Sequence, residues 1–177
     1  RVLEQEQIHL PGRHGIHADF DGSAPKVMPT LDFRGSRQHR APDRLAHTPT
    51  TLSLQEAGGV PAAALTAWQA LHEHAGIQAG QKVLIHGGAG GVGSFAIQLA
   101  DLARAHGIAT SSAKNHHYLL SLGADEVIDY TSAKFEDSVT DVDAVIDLVG
   151  GETQNASWSV IKRGGVLDAV RHRLGLV

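Results

Sequence analysis

Five glycines crowd into seven positions of the stretch IHGGAGGVGSFAIQLA, residues 85–100. Gly88, Gly90 and Gly93 have the spacing of the dinucleotide fingerprint Gly-x-Gly-x-x-Gly. In that pattern Gly88 permits a tight turn, Gly90 lets backbone N–H groups approach a pyrophosphate, and Gly93 lets a helix pack closely on a strand. We therefore predict that a dinucleotide binds at Gly88, Ala89, Gly90, Gly91, Val92 and Gly93. The alternative is a glycine-rich turn that serves packing alone.

The residues after the next predicted strand indicate which dinucleotide binds. Folds that select NAD usually place an Asp or Glu roughly 20 residues after the glycines. Here the chain reads Thr-Ser-Ser-Ala-Lys-Asn over 110–115, without a carboxylate. Ser111, Ser112 and Lys114 can instead offer hydrogen-bond donors and a positive charge to a 2′-phosphate. The sequence thus favours NADP(H), unless Lys114 is an ordinary solvated residue at the start of a helix.

Alternating apolar strands and helices must position these residues. A buried strand is predicted at 81–87, and the helix after it carries one apolar stripe, formed by Val92, Phe95, Ala96, Leu99, Ala100 and Ala103. Further strands are predicted at 107–112, 125–130, 141–150 and 164–170, with helices at 114–124, closed by Gly123, and near 153–162. This alternation predicts an α/β fold with a Rossmann-type doubly wound parallel sheet of about five strands.

The part of the chain before the sheet is less regular. Residues 1–41 show no sustained helical or alternating period, which predicts an irregular extension. Ser53 and Glu56 have the spacing of a capping box, so a helix should begin there, break at Pro61, and resume to about His74. The predicted domains are therefore this extension at 1–41 and a Rossmann-type domain at 42–177.

Four stretches resemble one family in sequence and in order. PDRLAHTPTTLSLQEAGGVPAAALTAWQAL, VLIHGGAGGVGSFAIQLA, LGADEVIDY and VIDLVGG, within residues 42–170, resemble the quinone-oxidoreductase-like branch of the medium-chain dehydrogenases/reductases. The resemblance implies NADPH-dependent hydride transfer to a small-molecule acceptor, such as a quinone or an α,β-unsaturated carbonyl. It also implies a branch that commonly lacks catalytic zinc.

The resemblance extends the set of candidate cofactor-binding residues. It implies that Tyr130 lies at the 2′-phosphate end, that Thr66 lies near the nicotinamide half, and that Val149 and Gly150 run under the cofactor. Thr66 has an alternative role as a helix threonine that bonds its own backbone. Ser94 either donates to a phosphate or caps the helix. No side chain is identified as a catalytic proton donor, so the catalytic residues stay unknown.

Relatives of this branch have a GroES-like catalytic domain before the nucleotide domain and return to it afterwards. Residues 1–41 lack the alternating strands of such a domain, and the chain stops soon after the fifth predicted strand. We therefore expect a domain truncated before its sixth strand, with an open edge that favours a homo-oligomer. Three functions stay open: a reductase, a noncatalytic nucleotide-binding or scaffolding module, and a remnant that binds no nucleotide.

Composition argues against several other classes. The net charge of −4 and the lack of a basic cluster argue against nucleic-acid binding, and the chain has no cysteine for a thiolate zinc site. Without an apolar run of roughly 18 residues we expect no membrane span and a cytoplasmic location. His9, His14, His17, Asp19 and Asp21 have ligand-like spacing but no rigid frame, so no metal site is predicted. His116 and His117 are expected on a helix surface.

Overall fold

The structure, a computed structural model, describes residues 30–31, 37–38 and 47–170. The chain forms two compact units, residues 1–62 and 63–177. In the first, β1 (Thr30–Leu31) pairs antiparallel with β2 (Arg37–Gln38). The histidines and aspartates weighed as metal ligands between His9 and Asp21 lie outside the described residues.

Helix α1 (Leu54–Trp68) begins at the predicted capping box. The Ser53 amide donates to the Glu56 carboxylate at 3.0 Å, and the Glu56 amide donates to the Ser53 hydroxyl at 3.2 Å. The predicted break at Pro61 is wrong, because the helix passes through Pro61 and runs into a π-helix, Gln69–His74. A proline removes one hydrogen bond, which helical turns on both sides can absorb, so it marks a probable rather than a certain end.

Five parallel strands form the main sheet. They are β3 (Lys82–His86), β4 (His106–Ser111), β5 (Glu126–Asp129), β6 (Val142–Asp147) and β7 (Ile161–Ala169). Their spatial order is β5-β4-β3-β6-β7, which matches the first five strands of the Rossmann order 3-2-1-4-5-6. The predicted α/β fold with a five-stranded Rossmann-type sheet is confirmed.

Helix α2 (Gly91–Leu102) is more deeply buried than its apolar stripe predicts. All residues of the run Gly93–Ala100 are buried, including Ser94 and Gln98. The helix contacts β3 and β4 on the sheet and the π-helix beside it. The stripe identifies only the face toward the sheet, because periodicity in one helix carries no information about a second neighbour.

The predicted helix at 114–124 is shorter in the structure. It starts as a 3-10 turn, Ala113–Asn115, and continues as α3 (His116–Ser121). Gly123 closes it as predicted, with φ +97°. The Gly123 amide donates to the Leu120 carbonyl, and the Ala124 amide donates to the Leu119 carbonyl. These two bonds form a Schellman motif, which satisfies carbonyl groups at the end of the helix.

The last helix and strand differ from their predicted bounds. Helix α4 is confined to Glu152–Ser157, and β7 begins at Ile161, earlier than predicted. The β6–β7 register shifts, because Val142 pairs with Ile161 whereas Ala144 pairs with Val166. Extra β7 residues therefore bulge out, and the Lys162 ammonium in this bulge pairs with the Asp143 carboxylate.

Candidate nucleotide-binding site

The candidate site lies where the strand order reverses. β3 is flanked by β4 and β6, with Ile85 opposite Ala109 and His86 opposite Asp147. The chain leaves β3 through the glycine loop, residues 87–93, and leaves β6 through the β6 loop, residues 148–151. Both loops start at the carboxyl ends of adjacent strands. Open α/β sheets bind their ligands at this position.

Gly87 begins the tight turn of the glycine loop, which encloses Gly88 and Ala89. Its φ is +71°, and its carbonyl accepts a hydrogen bond from the Gly90 amide at 3.0 Å. Gly88, the predicted turn residue, has another constraint: a Cβ there would lie 3.0 Å from the Cβ of Ala109 and 3.1 Å from a Leu119 methyl carbon. Gly88 therefore lies inside the turn as predicted, and the positive φ belongs to Gly87. The fingerprint's first glycine is also needed for packing, and its predecessor supplies the positive φ.

Gly93 allows a very close approach within the loop. A Cβ at this position would lie 2.4 Å from the Gly87 carbonyl oxygen and 2.8 Å from the Gly88 Cα. The predicted close packing at Gly93 is thus confirmed, and the neighbour is backbone at the end of β3. Gly91 is less constrained, because a Cβ there would meet only the Cβ of Ala63, at 3.9 Å.

The amino end of α2 presents backbone amides without a side-chain cap. Gly90 is the N-cap residue, exposed and extended, and no side chain bonds to the cap. The N–H groups of the first turn have no acceptor within a helix. Ser94 is buried, and its hydroxyl donates to the Gly91 carbonyl at 2.9 Å. The Ser94 hydroxyl hydrogen is therefore used within the first turn of the helix. This end of α2 fits a pyrophosphate, which needs free amides and close backbone approach.

The ends of β4 and β5 bring together several residues predicted for the 2′-phosphate end. The Tyr130 amide donates to the Ser111 carbonyl at 3.2 Å, and the Tyr130 side chain is 64% exposed. Lys114 is also exposed. The Ser111 hydroxyl is buried and donates to the Ser112 carbonyl at 3.1 Å, so its hydrogen is used locally. Ser112, Lys114 and Tyr130 are the members of this group that reach the surface.

The carboxylate closest in register to Ser111 is occupied by its own loop. Asp129 ends β5 opposite Ser111. It accepts hydrogen bonds from the Thr131 hydroxyl at 2.7 Å and the Thr131 amide at 2.9 Å. These bonds hold the pKa of Asp129 below its usual value. Asp129 is therefore ionised at neutral pH and engaged by Thr131.

The β6 loop is held by a buried acid that the sequence analysis missed. Asp147 is 1% exposed, and its carboxylate accepts hydrogen bonds from the amides of Val149 and Gly150, each at 2.9 Å. Gly150 and Gly151 have φ of +79° and +63°. Val149, predicted to lie under the cofactor, is 40% exposed. An Asp two and three residues before these amides makes an Asx-type turn, and its presence before Val-Gly-Gly was the available signal.

The two loops are neighbours. A Cβ on Gly87 would lie 3.5 Å from the Cβ of Leu148 and from a Val149 methyl carbon. Thr66, predicted near the nicotinamide half, is half-buried on α1, one turn after the Ala63 that neighbours Gly91. The structure thus brings Thr66 and the β6 loop to the neighbourhood of the glycine loop.

A second missed residue lies beneath both loops. His86 is 1% exposed; its Nδ1 lies 3.1 Å from the Thr110 hydroxyl and its Nε2 lies 3.0 Å from the Ser157 hydroxyl. The ring meets Phe135 edge-on at a centroid distance of 4.6 Å. Burial lowers the pKa of His86 to about 4, against the opposing effect of Asp147 and Glu136. His86 is therefore neutral at physiological pH.

Other predicted features have simple outcomes. His117 is exposed, whereas His116 is half-buried with its Nε2 atom inaccessible to solvent, so the expected surface pair is only partly right. Among residues 30–31, 37–38 and 47–170, no three potential ligands group as a metal site. In the same residues no helix is long and apolar enough to cross a membrane.

Comparison with known proteins identifies the sheet region. Residues 91–170 match the family described as zinc-binding dehydrogenase. A solved quinone oxidoreductase from Coxiella burnetii superposes with a TM-score of 0.68 at 44% identity, over 72% of this chain and 40% of that protein. This part of the chain belongs to the medium-chain dehydrogenases/reductases. Within that superfamily it is a nucleotide-binding segment of the quinone-oxidoreductase-like branch, as the four sequence stretches predicted.

Two further relatives of this medium-chain segment bear on its chemistry. The 2-methylene-furan-3-one reductase of Solanum lycopersicum is 45% identical over 124 residues, which are 68% of this chain and 31% of that protein. The quinone oxidoreductase of Thermus thermophilus, solved also in complex with NADPH, matches with a TM-score of 0.63 and 31% identity, over 71% of this chain and 42% of that one. The chain spans about a third of the length of the curated relatives it matches.

Proposed function

We propose that this segment binds NADPH across the glycine loop and the β6 loop, as the nucleotide half of a zinc-independent quinone or enone reductase. The observation that carries the proposal is the uncapped amino end of α2. Gly90 leaves the first-turn amides open, and Gly93 leaves no room for a side chain beside them. A pyrophosphate there would accept hydrogen bonds from these amides and gain from the helix dipole.

Charge at the end of β4 supports NADPH over NADH. Lys114 and Ser112 follow the strand, and Asp129 is already bonded by Thr131. An acid that accepts from both ribose hydroxyls is the usual device for NAD, and the described residues 111–115 contain none. The Lys114 ammonium could pair with a 2′-phosphate, while the exposed Tyr130 ring could pack against the adenosine.

The chemistry would come from the cofactor, which supplies a hydride when bound. The residues of this chain would bind and orient it: the α2 amides at the pyrophosphate, and Val149 and Thr66 at the nicotinamide half. An enone or quinone acceptor is supported by the two relatives named for such substrates. Zinc independence is proposed from the resemblance to a branch that commonly lacks catalytic zinc.

The proposal is tested by two linked measurements on the chain. NADPH and NADH are first titrated by fluorescence, and a simple quinone is then added while NADPH oxidation is followed by absorbance. NADPH binding tighter than NADH binding, followed by turnover, supports the whole proposal. Binding without turnover supports the nucleotide site alone and gives no support to the reductase. No binding of either nucleotide overturns the site.

Lys114→Gln tests the choice of cofactor directly. Loss of one charge-assisted contact to a 2′-phosphate should weaken NADPH binding about tenfold and change NADH binding less than twofold. Lys134→Gln is the matched control, since Lys134 is also exposed but lies beyond β5. Equal weakening of both nucleotides by Lys114→Gln would refute the NADPH assignment.

We also propose that the chain self-associates through β7. Among the described strands β7 is at one end of the sheet, and an unpaired edge favours pairing with another strand. Light scattering coupled to gel filtration measures the mass directly. A monomer at high micromolar concentration would contradict this part of the proposal.

A further inference from the structure

A chain of hydrogen bonds crosses the sheet directly beneath the candidate site. It begins at the Thr153 carbonyl in α4, which accepts from the Ser157 hydroxyl at 2.7 Å. The Ser157 oxygen lies 3.0 Å from Nε2 of His86, and Nδ1 of the same ring lies 3.1 Å from the Thr110 hydroxyl. The Thr110 oxygen accepts from the Gly87 amide at 3.4 Å.

The direction of this chain follows from counting hydrogens. A serine hydroxyl has one hydrogen, and that of Ser157 goes to Thr153. The Ser157 oxygen must then accept from His86, so Nε2 carries a proton. In a neutral imidazole Nδ1 is then an acceptor, and it takes the Thr110 hydroxyl hydrogen. The Thr110 oxygen is thereby left to accept from Gly87.

One end of the chain belongs to the glycine loop, and the other end belongs to the helix that follows the β6 loop. Gly87 begins the turn of the glycine loop, and the carbonyl of Thr110 also accepts from the Gly88 amide at 3.1 Å. Ser157 lies on α4, the helix that follows the β6 loop directly. His86 therefore links the β4 support of the glycine loop to α4 through hydrogen bonds.

We propose that His86 is a positioning residue of the nucleotide site: as the Nε2–H tautomer it fixes the glycine loop and the β6 loop at one separation, the separation that NADPH binding needs. This role rests on the proposed function, because it requires a nucleotide between those loops. His86 touches no cofactor itself, and it acts through Thr110 and Ser157.

The charged groups around His86 are compatible with this role. Asp147 lies opposite His86 in β6, and its carboxylate accepts hydrogen bonds from the amides of the β6 loop. Glu136 lies in the 3-10 turn Phe135–Asp137. Phe135 covers the imidazole edge-on. In such a buried site a change in the protonation or in the tautomer of the ring would break at least one link of the chain.

Two near-isosteric variants separate the two links. His86→Gln can keep a donor near the position of Nε2 and lose the acceptor toward Thr110. His86→Asn can keep an acceptor near Nδ1 and lose the donor toward Ser157. We expect each variant to raise the NADPH Kd of the folded protein about tenfold. Ser157→Ala, a milder change at the far link, should raise it about threefold and provides a second test if the His86 variants do not fold.

Phe135→Leu is the matched control for a purely structural effect. It removes ring packing against His86 and leaves every hydrogen bond of the chain, so it should lower the unfolding temperature and change the NADPH Kd less than twofold. A His86 role in stability alone would give the same pattern for all variants. Unchanged affinity in folded His86→Gln, His86→Asn and Ser157→Ala would therefore overturn the inference while the proposed function stands.

The tautomer is measured on the unmodified protein. Long-range ¹H–¹⁵N spectra of ¹⁵N-histidine-labelled protein at pH 7 should show His86 with a protonated Nε2 and a bare Nδ1, assigned by the signal missing in His86→Gln. A protonated Nδ1, or a charged ring, would overturn the inference. If the unmodified chain fails to bind NADPH, the proposed function falls and this role falls with it.

Discussion

The glycine loop and the β6 loop exclude side chains for different physical reasons. In the glycine loop, Gly93 lies in a helix, and the limit is space, because a Cβ would be 2.4 Å from a carbonyl oxygen. In the β6 loop, nothing lies within 4 Å of a Cβ on Gly151, and the limit is the backbone, with φ +63° and ψ −133°. The β6 loop also depends on a side chain, Asp147, whereas hydrogen bonds between backbone groups form the turn of the glycine loop. Within one site, glycine can thus be required either by a close approach of other atoms or by the backbone dihedral angles.

The largest effect is expected from Gly93→Ala. The added methyl group overlaps backbone that cannot move without opening the end of β3, so we expect a loss of about 3 kcal/mol or more in unfolding free energy, together with loss of NADPH binding. Gly91→Ala is the control, since its methyl group would have ordinary contact with Ala63. Urea unfolding and nucleotide titration measure both. A tolerated Gly93→Ala would break the distinction between the loops.

Burial of His86 beneath the two loops should make the unfolding free energy depend on pH. Folded His86 has its pKa near 4, against 6.5 for an ordinary histidine, so between these values the unfolded chain binds a proton that the folded protein does not. The stabilising contribution is full above pH 6.5 and is lost as the pH falls to 4, by about 3 kcal/mol. Urea unfolding from pH 7 to pH 4 should show this slope, and His86→Gln should remove it. Identical slopes would show that His86 does not stay neutral.

Asp147→Ala should act on the β6 loop alone. The amides of Val149 and Gly150 lose their acceptor, which costs about 2 kcal/mol of unfolding free energy. We expect a raised NADPH Kd from the displaced loop, and a smaller change in Asp147→Asn, which keeps one acceptor oxygen. If Asp147→Ala binds NADPH as tightly as the unmodified chain does, the β6 loop has no part in the site.

The smallest effect is expected from Gly151→Ala. A residue with a Cβ adopts this backbone conformation at a cost of about 1–2 kcal/mol, although the methyl group itself has space. The unfolding free energy measures this cost. A loss as large as that of Gly93→Ala would mean that both loops are limited by space after all.

Most of the sheet and one of its loops could be predicted from the sequence. The strand positions were predicted from apolar runs. The glycine loop was predicted from the spacing of its glycines, because a position that has no room for a side chain is occupied by glycine. The positive φ of Gly87, one residue before the fingerprint, was nevertheless missed, since the fingerprint gives spacing and not φ. The capping box at Ser53 was also readable, as both partners are three residues apart.

The missed features depend on partners that are distant in sequence. His86 meets Ser157 only after β3 and β6 pair, and a histidine in an apolar strand gives no sign of it. The inward turn of the Ser111 hydroxyl depends on the local path after β4, so residue type alone could not separate it from Ser112. The continuation of α1 through Pro61 likewise could not be predicted, because helix propensities describe single residues and not their tertiary surroundings.

The central place of β3 has a consequence for how the protein opens. Val83, Leu84, Ile85 and His86 are all buried, and β3 is hydrogen-bonded on both sides, to β4 and to β6. Its amides should therefore exchange with solvent deuterium only when the whole sheet comes apart, whereas β5 and β7 fray first. The glycine loop follows β3 directly. The strand that holds this loop would therefore be among the last parts of the sheet to unfold.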